Sequence, residues 1–127
     1  MKEERLSLNP QILADRVVQL AEDKKAFDIV TLDIRSISTI ADYFIICSGR
    51  SSIHVQSIAQ GIMDTLAKNE GITPRKEGFK EGRWVLLDYG DVVVHVFQDE
   101  ERHFYHLERL WGEDVYKRQG VWSWYWH

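Results

Sequence analysis

The sequence predicts an α/β domain of the α+β kind, a mixed sheet of about five strands with helices packed on it. Three observations carry that expectation. Apolar residues recur at helical spacing after Asn9-Pro10 and again after Ser51-Ser52. Short runs rich in β-branched and aromatic residues, Ile29–Ile34, Tyr43–Cys47, Trp84–Leu87 and Val92–Phe97, lie between and after them. The last two runs flank Asp88-Tyr89-Gly90-Asp91, a polar link with glycine that reads as a hairpin turn. Helices between strands, with a hairpin among the strands, imply a mixed sheet rather than a purely parallel one.

Taken in order, Asn9 is placed to cap a first helix and Pro10 to start it, since a proline lacks only an N–H that the first turn leaves unpaired anyway. Leu13, Ala14, Val17, Val18 and Ala21 form its apolar stripe, and the helix should end near Asp23–Lys25. In Ile29–Ile34, Val30, Leu32 and Ile34 alternate against Thr31 and Asp33. A polar link, Arg35–Thr39, leads to Tyr43–Cys47, which is nearly all apolar and therefore expected in the centre of the sheet. Ser51 or Ser52 caps a long second helix with Val55, Ile58, Ala59, Ile62, Met63 and Leu66 facing inward. Gly71 is its expected stop. Pro74 confines any strand in Ile72–Glu77 to a sheet edge. Gly78–Gly82 is a turn before the hairpin. The hairpin strands lack a polar side, so both are expected to be covered on both faces. A last helix is expected from Gln98–Glu101 to Gly112, with Phe104, Leu107, Leu110 and Trp111 inward.

A chain of 127 residues fits one domain, or one domain plus a tail. The formal net charge of −4 disfavours a direct nucleic-acid binder, which needs clustered Lys and Arg, but does not exclude a basic protein partner, which an acidic surface would steer in. The single cysteine, Cys47, rules out an internal disulfide and sits in an apolar run where it reads as a buried thiol. No basic-then-apolar segment opens the chain and no apolar run approaches ~18 residues. A reducing, cytoplasmic setting without membrane contact is the expectation. From Asp114 the character changes: Trp122, Trp124, Tyr125 and Trp126 crowd together without a period. Such a tail packs on this domain or on a neighbouring copy, is disordered, or does not belong to the natural protein.

Three clusters could carry chemistry. Ser48-Gly49-Arg50-Ser51-Ser52 before a helix could hold an anion on its N–H groups, but it lacks the lysine of a phosphate-binding P-loop; a capped helix start is the preferred reading. His54, one turn in, would face outward or against that loop. Asp88 and Asp91 could hold a divalent cation or act as acid and base, with His95, four residues on, as the third ligand. The plainer reading, that the aspartates shape the turn through backbone N–H groups, is preferred. In Glu100–His106, His103 and His106 are three apart on a helix but match no zinc-protease pattern. Arg102 and Tyr105 there are of the types that anchor interfaces.

Four blocks in order resemble one family. They are Asp42-Tyr-Phe-Ile-Ile-Cys-Ser-Gly49, Ser51-Ser-Ile-His-Val-Gln-Ser-Ile-Ala59, Trp84-Val-Leu-Leu-Asp-Tyr-Gly-Asp-Val-Val-Val-His-Val-Phe97 and Arg102-His-Phe-Tyr-His-Leu-Glu-Arg-Leu-Trp111. They are similar to the Iojap family, the ribosomal silencing factors of bacteria and their organelle relatives. The resemblance spans roughly Leu8 to Glu113 and leaves the tail from Asp114 aside, so a domain over 1–113 and a tail over 114–127 are expected. It implies a nucleotidyltransferase-like architecture. It also implies a translational repressor that binds the large ribosomal subunit through ribosomal protein L-fourteen and blocks joining of the small subunit. The carboxylate pair that such enzymes use for Mg²⁺ has no counterpart after Gly49 and Ser51, so the fold is expected without the chemistry.

On that reading no cofactor or metal is needed, and the chain is not an enzyme. Trp84, Tyr89 and Tyr105 are the expected apolar anchors. Asp88, Asp91 and Glu101 are expected to meet basic groups, Gly90 to permit the turn, Arg102 to join the face, and His95 to bond across it or to be a satisfied core histidine. The alternative is a metal-dependent nucleotidyl or phosphoryl transfer enzyme using Asp88, Asp91 and His95. A third reading is a homodimer that uses the hairpin face or the aromatic tail.

Overall fold

The structure is a computed structural model that describes residues 9–100. Helix α1 runs Pro10–Asp23, and the Asn9 side chain accepts the Ile12 N–H at 2.9 Å, as the sequence led one to expect. Strand β1 is Phe27–Asp33, β2 is Tyr43–Gly49, helix α2 is Ser52–Glu70, β3 is Arg75–Glu77, β4 is Trp84–Asp88 and β5 is Val92–Gln98. The expected last helix, with Phe104, Leu107, Leu110 and Trp111, lies outside the described residues.

The five strands form one sheet in the order β1-β2-β5-β4-β3. β2 and β5 run parallel in its centre, and every other pair is antiparallel. A parallel pair needs a crossover, and α2 supplies it between β2 and the hairpin. Each residue of β2 is buried, as expected for a run without a polar side. β1 begins two residues before the expected Ile29. A bulge between Phe27 and Val30, with Asp28 at φ 51°, lets Phe27 reach Ser48 across the ladder. Ile34 lies just beyond the strand and is nonetheless buried, with its N–H bonded to the Asp42 carbonyl at 2.9 Å.

β3 is a three-residue, fully exposed edge strand after Pro74. Strand β4 corrects one expectation. β5 is buried on both faces, but β4 alternates, with Val85 and Leu87 buried and Trp84, Leu86 and Asp88 half-buried. The reason is the face: Val85 and Leu87 point into the core under the helices, whereas Trp84 and Leu86 lie at the margin of the smaller cluster on the opposite face.

Both helices pack on one face of the sheet. Leu13, Ala14 and Val17 of α1 and Val55, Ile58, Ala59, Ile62 and Leu66 of α2 enclose Tyr43, Ile45, Cys47, Val85, Leu87, Val92, Val94 and Val96. The opposite face carries a second cluster of Phe44, Ile46, Val93 and Phe97, joined by Ile34 and Ala41 from the β1–β2 link, with Trp84, Leu86 and Leu32 at its margin. Helix α2 is closed at both ends. The Ser51 hydroxyl accepts the His54 N–H at 3.2 Å, and Gly71, at φ 69°, returns its N–H to Ala67. Ser51→Ala removes that cap and should cost about 1 kcal/mol in urea denaturation. An unchanged midpoint would show that the first turn is held by its neighbours instead.

Candidate partner-binding face

The hairpin turn is built by the residues that the sequence singled out. Asp88 Oδ1 accepts the Gly90 N–H at 2.8 Å, Gly90 takes φ 94°, and the Tyr89 N–H donates to the Val92 carbonyl at 3.0 Å. Asp88 therefore shapes the turn. Its carboxylate also lies 3.7 Å from the Arg75 guanidinium on β3. The Asp91 carbonyl accepts the N–H groups of Asp42 and Tyr43, at 2.7 and 3.1 Å, which ties the turn to the start of β2. The Asp91 residue itself is exposed.

Tyr89 points the other way. Its ring packs against the helix-side core, and its hydroxyl is buried without a hydrogen-bond partner among the described residues. Burial raises the phenol pKa above its ordinary value.

Trp84 and His95 form a separate locus on the face away from the helices. Alternation puts Trp84, Leu86 and Asp88 on that face, opposite Phe97, His95 and Val93. The Trp84 indole stacks on Phe97 with centroids 4.8 Å apart and 28° between planes. Its Nε1–H donates to His95 Nδ1 at 3.1 Å. His95 is 2% exposed, and its ring centroid lies 4.6 Å from that of Phe44. Burial lowers the imidazole pKa to about 3, so the ring is neutral at physiological pH. With Nδ1 accepting, the proton sits on Nε2, which is buried and has no hydrogen-bond partner among the described residues.

The predicted site residues thus fall into two groups. Trp84 and Asp88 are at opposite ends of β4, roughly 13 Å apart at the rise of a strand. Asp88, Tyr89, Gly90 and Asp91 are together; Trp84 and His95 are together; Tyr89 turns its ring from the other five. Glu101, Arg102 and Tyr105 lie outside the described residues. Sequence reasoning missed Phe44 and Phe97 as the walls around His95. Phe97 was within reach, being two residues from His95 and so on the same face. Phe44 is not deducible from spacing, because the β2–β5 pairing brings it there.

The other candidates are accounted for by local bonds. His54 does turn against the loop: its Nδ1 accepts the Arg50 N–H at 2.9 Å, and its Nε2–H donates to the Lys24 carbonyl at 2.8 Å. The Arg50 guanidinium lies 5.2 Å from the Phe27 ring centroid. Cys47 is fully buried. Among the described residues no three His, Cys, Asp or Glu side chains are placed to share a metal ion. No helix among them is long and apolar enough to cross a membrane.

Comparison with known proteins settles the family. The family model described as "Ribosomal silencing factor during starvation", RsfS, matches residues 7–121. The chain belongs to the RsfS family. The ribosomal silencing factor RsfS of Bacillus subtilis is 47% identical over 106 residues, covering 84% of this chain and 90% of that protein. The chloroplastic protein Iojap of Arabidopsis thaliana is 33% identical over 99 residues, covering 78% of this chain and 41% of its own length. A crystal structure of a Chromobacterium violaceum protein superposes with a TM-score of 0.78 at 34% identity, over 82% of this chain and 87% of that one. One from Bacillus halodurans gives 0.71 at 46% identity, over 80% and 94%. Among the described residues the fold is the mixed five-stranded sheet with two helices given above. Nothing in these neighbours bears on the nucleotidyltransferase likeness.

Proposed function

We propose that this RsfS-family chain is a cytoplasmic translational repressor, without catalysis, that binds the large ribosomal subunit through ribosomal protein L-fourteen and sterically blocks joining of the small subunit. The relatives named as ribosomal silencing factors support the role. The observation that carries the site is the half-buried Trp84 indole. It is held by a stack and a hydrogen bond on the sheet face that neither described helix covers. A large aromatic fixed in one orientation loses little entropy on binding and suits an interface anchor.

Asp88 and Asp91, about 13 Å away along the hairpin, would meet Lys or Arg on the partner. A standard interface of about 800 Å² per partner spans both loci. Glu101, Arg102 and Tyr105, which follow β5 in sequence, complete the proposed set. His95 and Gly90 serve it from within, and Tyr89 supplies the back of the turn. Self-association through the same face would compete with the ribosome.

The rival phosphotransfer reading needs Asp88, Asp91 and His95 to converge. His95 is enclosed by Phe44 and Phe97, with Nδ1 engaged by Trp84, and Asp88 is engaged by the turn and Arg75.

Trp84→Ala should weaken co-sedimentation with large subunits by about 2 kcal/mol, roughly thirtyfold in Kd, while the far-ultraviolet circular dichroism stays that of the wild type. Unchanged affinity would remove Trp84 from the interface. Failure of the wild-type protein to co-sediment would remove the function itself.

A further inference from the structure

We propose that His95 is a positioning residue, which presets the Trp84 indole for its partner by accepting the indole N–H on Nδ1. The inference rests on the reading of Trp84 as an interface anchor and adds how that anchor is held.

An imidazole is a poor choice for this place on packing grounds alone. Its neighbours along the face are Phe44, Phe97, Ile46 and Leu86, and an apolar side chain would fill the volume without desolvating two nitrogens. One nitrogen recovers a bond, from Trp84. The other, Nε2–H, recovers none among the described residues. A buried donor left unpaired opposes folding, so the net contribution of His95 to stability is small or negative. What the imidazole supplies, and a leucine could not, is a directional acceptor. It faces the indole N–H, which the stack on Phe97 does not engage. The stack sets the tilt of the ring and the hydrogen bond sets its rotation. Together they hold a half-buried tryptophan in one pose at the margin of the sheet.

The tautomer follows from the same geometry. Indole has a donor and no acceptor, so Nδ1 must carry a lone pair and Nε2 the proton. Burial among aromatic rings keeps the charged form out, so this arrangement persists across the physiological range.

Three variants and one spectroscopic measurement test the inference. In wild-type protein, long-range proton–nitrogen spectra should show His95 neutral, with the proton on Nε2, throughout pH 5.5–8. A charged ring or the opposite tautomer overturns the proposal without any variant. The Trp84 indole N–H resonance is assigned as the one lost in Trp84→Phe. In His95→Leu it should move toward the position of an unbonded indole, with a thermal midpoint equal to or above the wild type at pH 7. Affinity for large subunits should fall about tenfold. His95→Asn, whose Oδ1 can stand in for Nδ1, should restore most of the resonance position and of the affinity.

If His95→Leu binds like wild type, or if Asn rescues nothing although both variants fold, His95 is only core. Should wild-type protein not bind large subunits at all, the proposed function fails. The indole resonance, read in free protein, then decides the positioning claim by itself.

Discussion

Gly78→Ala should destabilise the domain by about 3 kcal/mol or more and should also weaken partner binding. Gly78 sits at φ 78°, where an L side chain is strained. A Cβ built there would lie 2.2 Å from the Trp84 carbonyl oxygen and 3.7 Å from the Val85 Cα. The carbonyl oxygen belongs to the backbone of β4, so no rotamer can relieve that overlap. Either the 78–82 turn or the start of β4 must move. The turn is held on its other side by Gln56, whose Nε2 donates to the Phe79 and Lys80 carbonyls at 2.9 and 3.0 Å. The strain therefore falls on Trp84 itself. Gly71→Ala is the natural control. Its φ of 69° is similar, but nothing lies within 4 Å of the added Cβ, so only the backbone penalty of about 1 kcal/mol applies. Urea denaturation of both variants checks this, and equal losses would show that the Trp84 contact is not tight.

Acid should unfold the protein through His95. In the unfolded chain an imidazole titrates near 6.5, whereas in the fold burial holds it down to about 3. Between those values the unfolded state binds the proton and the folded state does not. Stability is therefore complete above pH 6.5 and declines as the pH falls toward 3. At pH 5 the loss amounts to roughly 2 kcal/mol, and lower pH adds to it. The exposed Asp33, whose carboxyl is held below its usual range chiefly by the Arg35 side-chain hydrogen bond, acts in the same direction but is screened by water. Denaturant titrations from pH 7.5 to 4.5 should show this slope in the wild type and a flatter one in His95→Leu. Equal slopes would place the acid sensitivity on carboxylates alone.

Much of the architecture was legible because it is local. Asn9-Pro10 and Ser51 announce helix starts through N–H groups that only a cap can satisfy. Gly71 announces a stop through its left-handed conformation. Asp88 and Gly90 announce a turn, and the structure has Asp88 bonding the Gly90 N–H as such turns require. The element bounds shifted where the cause was not local. β1 starts early because of a bulge paired to Ser48, and β4 alternates because one of its faces lies under the helices and the other at the margin of the smaller cluster. The family was legible too, since four blocks of the chain carry it and the match extends over residues 7–121.

The candidate site was legible by residue type and not by arrangement. Trp84, Asp88, Tyr89 and His95 are close in sequence, and proximity suggested a single cluster. A strand separates its ends by about 3.3 Å per residue and turns alternate side chains to opposite faces. Trp84 is thereby carried away from the turn, and Tyr89 is turned toward the helices. By itself, the sequence determined which of the described segments are helix and strand, the caps of both helices, and that a tight acidic turn joins β4 to β5. Only the tertiary structure decided that β5 lies parallel to β2, so that Phe44 closes over His95 and leaves its Nδ1 to Trp84. Phe44 and His95 are 51 positions apart, and pairing over that span depends on how the whole sheet closes around α2, which no local period encodes.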